Sequence, residues 1–226
     1  MVHKILVPIK PEGYSSITLT EGRNSVEHAI FDAMRQRGGD SSFVAMGFEG
    51  SHHGNSLVLT QFAHPKMSLD LGWPSIAFPT SQAHEAEALE KARAAINEKR
   101  AAGHPVAAVV IEPTNWQTGP IASDNFINQL REVAHDAEAA LIVDETSTGC
   151  GASGKGFFQY SGAADYITFG KRTQVTGYFS KGEAGRPDCH LGGNQLDLLN
   201  FAIIHENIVK DDLINQVDRV GKSMSS

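Results

Sequence analysis

Short apolar runs alternate along this chain with longer stretches that have helical periodicity. Ser42-Phe-Val-Ala-Met-Gly-Phe48, Val106-Ala-Ala-Val-Val-Ile111 and Ala140-Leu-Ile-Val-Asp144 are too short for helices and apolar at consecutive positions, which predicts buried strands. The 166–169 and 175–180 stretches read the same way. Between them, Val26, Ala29, Ile30, Ala33 and Met34 repeat at helical spacing until Gly38-Gly39 ends the run. Asn24 with Glu27 three residues later resembles a capping box for that helix. A second helix is expected over 82–100, started by Ser81, with Glu85, Glu87 and Glu90 early, Lys99 and Arg100 late, and Gly103 after its end. Its charges read as a solvated face. Ser123 caps a third to about 138, with Phe126, Ile127, Leu130, Val133, Ala134 and Ala137 on one side. Further helices are expected over 195–206 and, capped by Asp211, to about 221.

Strand, helix, strand in succession is the right-handed crossover unit of a parallel sheet. The expected fold class is therefore α/β, with a mostly parallel central sheet flanked by helices over 21–226. Residues 1–20, interrupted by Pro8, Pro11 and Gly13, read as an irregular lead-in, and 57–80 as a long connection with one short strand near 76–78.

Composition narrows the functional classes. The 226 residues are 41% hydrophobic and 20% charged, enough for one domain with a substantial core. Lys+Arg 19 against Asp+Glu 26 gives a net charge of −7, which disfavours general nucleic-acid binding. No apolar run approaches the ~18 residues of a membrane span, and the first residues do not form a secretory signal. The cytoplasm is the simplest expectation. Cys150 and Cys189 give neither a disulfide framework nor a metal set, and the adjacent His52 and His53 lack a spaced third ligand, so no metal is expected.

In a parallel sheet, ligands collect at the carboxyl ends of the strands. Two apolar runs end there in chemistry: one in Asp144-Glu145, the other in Gly170-Lys171. Adjacent acids on a strand point to opposite faces, so only one of Asp144 and Glu145 can enter a given pocket. Gly22 ahead of the first helix suits an anion, because free backbone N–H groups and the helix dipole both favour negative charge. The stretch Gly149-Cys-Gly-Ala-Ser-Gly154-Lys155 satisfies Gly-x-Gly-x-x-Gly and nearly the phosphate-loop pattern. Gly156 stands where that loop needs Ser or Thr, so loop geometry accounts better for the glycines.

Several of these motifs stand in one recognisable order: Ile111-Glu112-Pro113, Val143-Asp144-Glu145, Thr148-Gly149-Cys150-Gly151 with Gly154, Thr168-Phe169-Gly170-Lys171-Arg-Thr-Gln174-Val175, and Gly192-Gly193-Asn194. Over about 21–221 the chain resembles class III pyridoxal-phosphate (PLP) aminotransferases of fold type I, and within them L-lysine 6-aminotransferase and 4-aminobutyrate aminotransferase. The resemblance implies a PLP-binding large domain, with the family's small domain absent, in a likeness to homodimers. It implies amino transfer from an ω-amino acid or lysine side chain to a 2-oxo acid. Lys171 would be the Schiff-base lysine and catalytic base, and Asp144 the partner of the pyridine nitrogen. Gly22, Arg23 and Asn24 would hold the phosphate, His52 would stack on the ring, and His190 would reach the phosphate across the dimer. Departures from the family pattern cluster in the substrate positions. Asn55 stands where relatives have a carboxylate-binding arginine, Gln117 where most have a glutamate, and Ser147 where a glutamine packs on the cofactor. A truncated, catalytically silent paralogue kept as a PLP-binding or subunit-pairing module is the alternative expectation.

Overall fold

The computed structural model describes residues 5–20, 22, 24–39, 42–63, 70–115, 119–182 and 194–224. Seven strands form one sheet: β1 (Ser16–Thr20), β2 (Val44–Phe48), β3 (Ser75–Ile76), β4 (Val106–Ile111), β5 (Ala140–Asp144), β6 (Tyr166–Phe169) and β7 (Thr176–Ser180). Their spatial order is β1-β7-β6-β5-β4-β2-β3. Strands β2 to β6 pair in parallel, and β7 runs antiparallel to both β6 and β1. The helices are α1 (Ser25–Gln36), α2 (Thr60–Ala63), α3 (Glu85–Ala101), α4 (Asp124–Asp136), α5 (Gln195–Lys210) and α6 (Leu213–Met224).

The continuous apolar runs are explained by burial on both faces. Ala108 and Val110 of β4, Ile142 of β5 and Tyr166 of β6 join Val26, Ala29 and Ile30 of α1 on one side. Val109, Ile111, Leu141, Val143, Ile167 and Phe169 point the other way and pack with α3 and α4 residues such as Ala92, Ile96, Phe126 and Leu130. The period of two along each strand thus sorts side chains between two cores. At the start of α4, Ser123 Oγ accepts the Phe126 N–H at 3.0 Å, the cap expected from sequence.

Four local expectations change. Residues 16–20 are not irregular: they form the edge strand β1, whose Ser-Ile-Thr-Leu-Thr alternation fits a sheet margin. That close pairing depends on Gly177 of β7, where a Cβ would lie 2.3 Å from the Thr18 carbonyl oxygen. The 57–80 connection contains α2, whose Phe62 occupies the space above side-chain-free Gly47. Asn24 precedes α1 without making a side-chain cap, so the Asn24/Glu27 capping box does not form. Glu85 is buried rather than solvated: its two oxygens accept the Ser123 amide (2.9 Å) and hydroxyl (2.7 Å), tying α3 to the start of α4.

The glycine-rich loop is a packing surface for α6. A Cβ at Gly151 would lie 2.4 Å from Ile214 Cγ1, and one at Gly154 would lie 2.7 Å from the Asp218 backbone nitrogen. Both have positive φ, so both space and conformation select glycine. On their outer sides α5 and α6 leave Leu196, Leu199, Ile203, Val217, Val220 and Met224 exposed. Among the described residues, no helix is long and apolar enough to cross a membrane.

These contacts predict that Gly154→Ala lowers unfolding free energy by about 1–3 kcal/mol, from the forced φ and the collision with α6. Gly162→Ala, whose added Cβ meets nothing within 4 Å, is expected to stay within about 0.5 kcal/mol of the parent. Urea denaturation of both variants checks the contrast.

Candidate active site

Between β2 and β4 the strand order reverses. At the carboxyl ends of the parallel strands, the loops after β2, β5 and β6 border a crevice. Asp144 ends β5 on the α1 face, opposite its register partner Thr168 on β6. Thr168 Oγ1 donates to Asp144 Oδ1 at 2.8 Å, and the Thr146 N–H donates to the same oxygen at 3.0 Å. The loop after β2 delivers His53, whose Nδ1 lies 2.9 Å from Asp144 Oδ2. Both side chains are essentially inaccessible. Burial by itself raises a carboxyl pKa. Here the His53 hydrogen bond and charge, with Thr146, outweigh it and hold Asp144 below the usual carboxylate range. Three of about four lone-pair positions are filled, leaving one acceptor position on Oδ2.

Glu145 turns to the other face, as strand alternation requires. It accepts the amides of Tyr160 (2.8 Å) and Gln159 (3.2 Å) and the hydroxyl of Thr148 (3.2 Å). It therefore organises the 148–160 loop rather than the crevice. Burial pushes its carboxyl up in pKa. Glu112, just beyond β4, joins three strand-end loops: one oxygen accepts the His52 amide (3.3 Å) and the other the Ser147 hydroxyl (3.2 Å). Burial, followed by the charge of Asp144, raises its pKa.

A cleft of about 300 Å³ lies above this floor, lined by Gly22 and Ser25 at the start of α1, His52 and His53, Thr146, Lys171 and Asp197 among others. This is at the lower end of ordinary small-molecule sites. Lys171 follows β6 with φ +51°, a left-handed conformation costly for a residue with a Cβ. It turns the side chain across the cleft rim, where Nζ donates to Ser147 Oγ at 2.5 Å. Arg172 also holds this loop through the Ser147 carbonyl. On its other side, Ser147 lines a wider cavity of about 710 Å³ shared with Ser123, Lys155 and Arg172.

Gly22, His52 and Lys171 line one cleft, Asp144 lies beneath it against His53, and Ser147 stands at its edge. Asn24 sits at the start of α1 without lining the cleft. Asn55 is exposed beyond His53-Gly54 and is also outside the lining. Arg23, Gln117 and His190 lie outside the described residues. No group of three or more metal-ligating side chains occurs among the described residues. Sequence reasoning missed His53, Thr168 and Glu112 as functional side chains. The His52-His53 doublet was visible, but which ring meets the strand-end acid depends on the turn after β2.

A family model described as aminotransferase class-III matches residues 1–225. The chain is 31% identical over 221 residues to mitochondrial 4-aminobutyrate aminotransferase of Mus musculus, covering 84% of this chain and 43% of that protein. It is 31% identical over 176 residues to the L-lysine-epsilon aminotransferase of Mycobacterium bovis, covering 72% and 38%. It thus spans less than half the length of these curated relatives. A solved lysine aminotransferase from M. tuberculosis superposes with a TM-score of 0.80 at 27% identity, over 98% of this chain and 58% of that one.

The buried pair yields a pH-dependent prediction. His53→Leu strands the Asp144 charge and is expected to cost about 3–5 kcal/mol at pH 7. A depressed folded pKa stabilises above the unfolded value of about 3.9 and is lost as pH falls through the folded value. The difference between variant and parent should therefore be largest near neutrality and shrink in acid. Urea denaturation at pH 7, 4, 3 and 2 reads this out, the loss falling below about pH 4.

Proposed function

The chain belongs to the class III aminotransferases, and on that premise we propose that it is a PLP-dependent transaminase. Its amino donor is an ω-amino acid or a lysine side chain, and its acceptor is a 2-oxo acid, the chemistry in the names of the 4-aminobutyrate and lysine relatives. The observation that carries this reading is the Asp144–His53 pair under the cleft whose rim holds Lys171.

The residues present fit the cofactor. Among the described residues no side chain caps the start of α1, and with Gly22, Asn24 and Ser25 its first backbone N–H groups are suited to a phosphate. We add Arg23 to this phosphate set and His190 from a second copy in a homodimer. His53 Nε2 is buried without a hydrogen-bond partner among the described residues. An orphaned polar atom of this kind costs about 1–3 kcal/mol, which a bound ligand group can recover. His52 supplies a flat ring to stack on a pyridine, Ser147 closes its edge, and Asn55 and Gln117 are assigned to the substrate.

Bound there, PLP supplies an aldehyde and an electron-withdrawing ring that stabilises negative charge at a carbon losing its proton. Asp144, held anionic by His53, Thr168 and Thr146, keeps a proton on the ring nitrogen. His53 fixes the orientation of that carboxylate from behind. Lys171 Nζ is the nucleophilic amine and the atom that takes and returns the donor proton. The left-handed turn at Lys171 brings its amine to the cleft rim while Gly170 continues from β6.

Titrating the purified chain with PLP, followed by borohydride reduction and peptide mapping, tests the reading. The expected outcome is a visible absorption band and a reduced adduct on the Lys171 peptide, both absent in Lys171→Ala. Asp144→Ala should retain trapping yet lower any transaminase turnover by at least about 10²-fold. A folded chain that traps no PLP on Lys171 would overturn the assignment.

A further inference from the structure

Lys171, Ser147 and Glu112 form one hydrogen-bonded chain from the cleft rim to the interior. Lys171 Nζ donates to Ser147 Oγ at 2.5 Å, and Ser147 Oγ donates to Glu112 Oε1 at 3.2 Å. The second Glu112 oxygen accepts the His52 amide, which fixes the carboxylate in place. Lys171 is exposed, whereas Glu112 is 1% exposed at the end of β4.

We propose that Glu112, acting through the Ser147 hydroxyl, takes the proton that Lys171 must lose before its amine can attack a carbonyl carbon. This rests on the assignment of Lys171 as the reactive amine. In the step, a Lys171 Nζ–H bond breaks as a new Ser147 Oγ–H bond forms. The original Ser147 O–H breaks as a Glu112 O–H forms. One proton moves from Nζ to Oε1, the serine is unchanged, and no electrons are exchanged. Ammonium and carboxylate become a neutral amine and a neutral acid.

Three features of the site favour this transfer. A hydroxyl accepts and donates at one atom, so it can pass a proton, which a methyl group cannot do. The carboxylate sits where its anion is poorly solvated, and its pKa is raised by burial and by Asp144, with His53, the His52 amide and Ser147 opposing. Neutralisation also removes a charge from a buried position. Lys171 shares the cleft with His52 and His53 from the β2 loop and Asp197 from α5, and Arg172 is its neighbour. Beyond burial, the charges acting on Glu112 are those of Asp144 and His53. Ser147 and Glu112 are thus positioning residues for the Lys171 proton.

The test uses the full chain with no added cofactor. It is mixed at pH 7 with a small aldehyde under cyanoborohydride in excess, and the initial rate of alkylation on the Lys171 peptide is followed by mass spectrometry. Glu112→Gln and Ser147→Ala are expected to slow this rate at least about tenfold, whereas Ser147→Thr, which retains a hydroxyl, should stay within about threefold of the parent. Circular dichroism checks that each variant is folded, and the Thr/Ala contrast at 147 stands even if the Glu112 variant is not. A Ser147→Ala chain alkylated on Lys171 as fast as the parent overturns the relay. PLP trapping is measured separately, so an unchanged alkylation rate counts against the relay alone and failed trapping counts against the transaminase reading alone.

Discussion

A carboxylate closed off from water at the end of a central strand has to be paired, and much of this structure follows from supplying partners to Asp144. Thr168 comes from the adjacent strand in register, the Thr146 amide from the turn that follows, and His53 from the loop after β2. The last requires β2 beside β4, the position given by the strand-order reversal. Phe62 packs edge-on to the His53 ring at 6.0 Å and needs the empty space of Gly47 to do so. A charge at one strand end is thereby linked to a glycine in another strand and to a four-residue helix.

Neighbouring acids serve separate purposes because a strand turns successive side chains to opposite faces. Asp144 enters the α1 side and keeps its charge through a histidine. Glu145 enters the other side, where two backbone amides and a threonine hydroxyl use it to shape the 148–160 loop. That loop then supports α6, with Gly151 and Gly154 removing the side chains that would keep the helix away. The motif that resembles a phosphate loop is therefore a seat for a helix. Glu85 performs a comparable joining task between α3 and α4.

The cleft combines parts with different chemical preferences. The start of α1 favours negative charge, Asp144 favours a cationic or donor group, and Lys171 brings an amine to the rim. Ser147 stands between the cleft and the wider cavity, held by Lys171 at its hydroxyl and by Arg172 at its carbonyl. Its hydroxyl links the exposed Lys171 amine to the buried Glu112 carboxylate. Class III membership supplies the chemical setting, while the side chains at 55, 117 and 147 distinguish this chain from the pattern it resembles.

The sequence by itself determined the α/β class, the buried strands β2, β4, β5 and β6, the capped helix after Ser123, and the placing of Asp144 and Lys171 at strand ends. These were legible because they rest on local pattern: consecutive apolar residues, helical spacing, and acid or lysine at a strand end. Only the tertiary structure decided that residues 16–20 join the sheet, since an edge strand five residues long has too little pattern without Gly177 to receive it. Only it selected His53 over His52 as the partner of Asp144, because adjacent rings are equivalent until the turn after β2 is fixed. The burial of Glu85 and the contact of the glycine loop with α6 also join residues far apart in the chain. The Lys171–Ser147–Glu112 chain has the same origin: three residues from the ends of three strands meet because a parallel sheet delivers those ends to one edge.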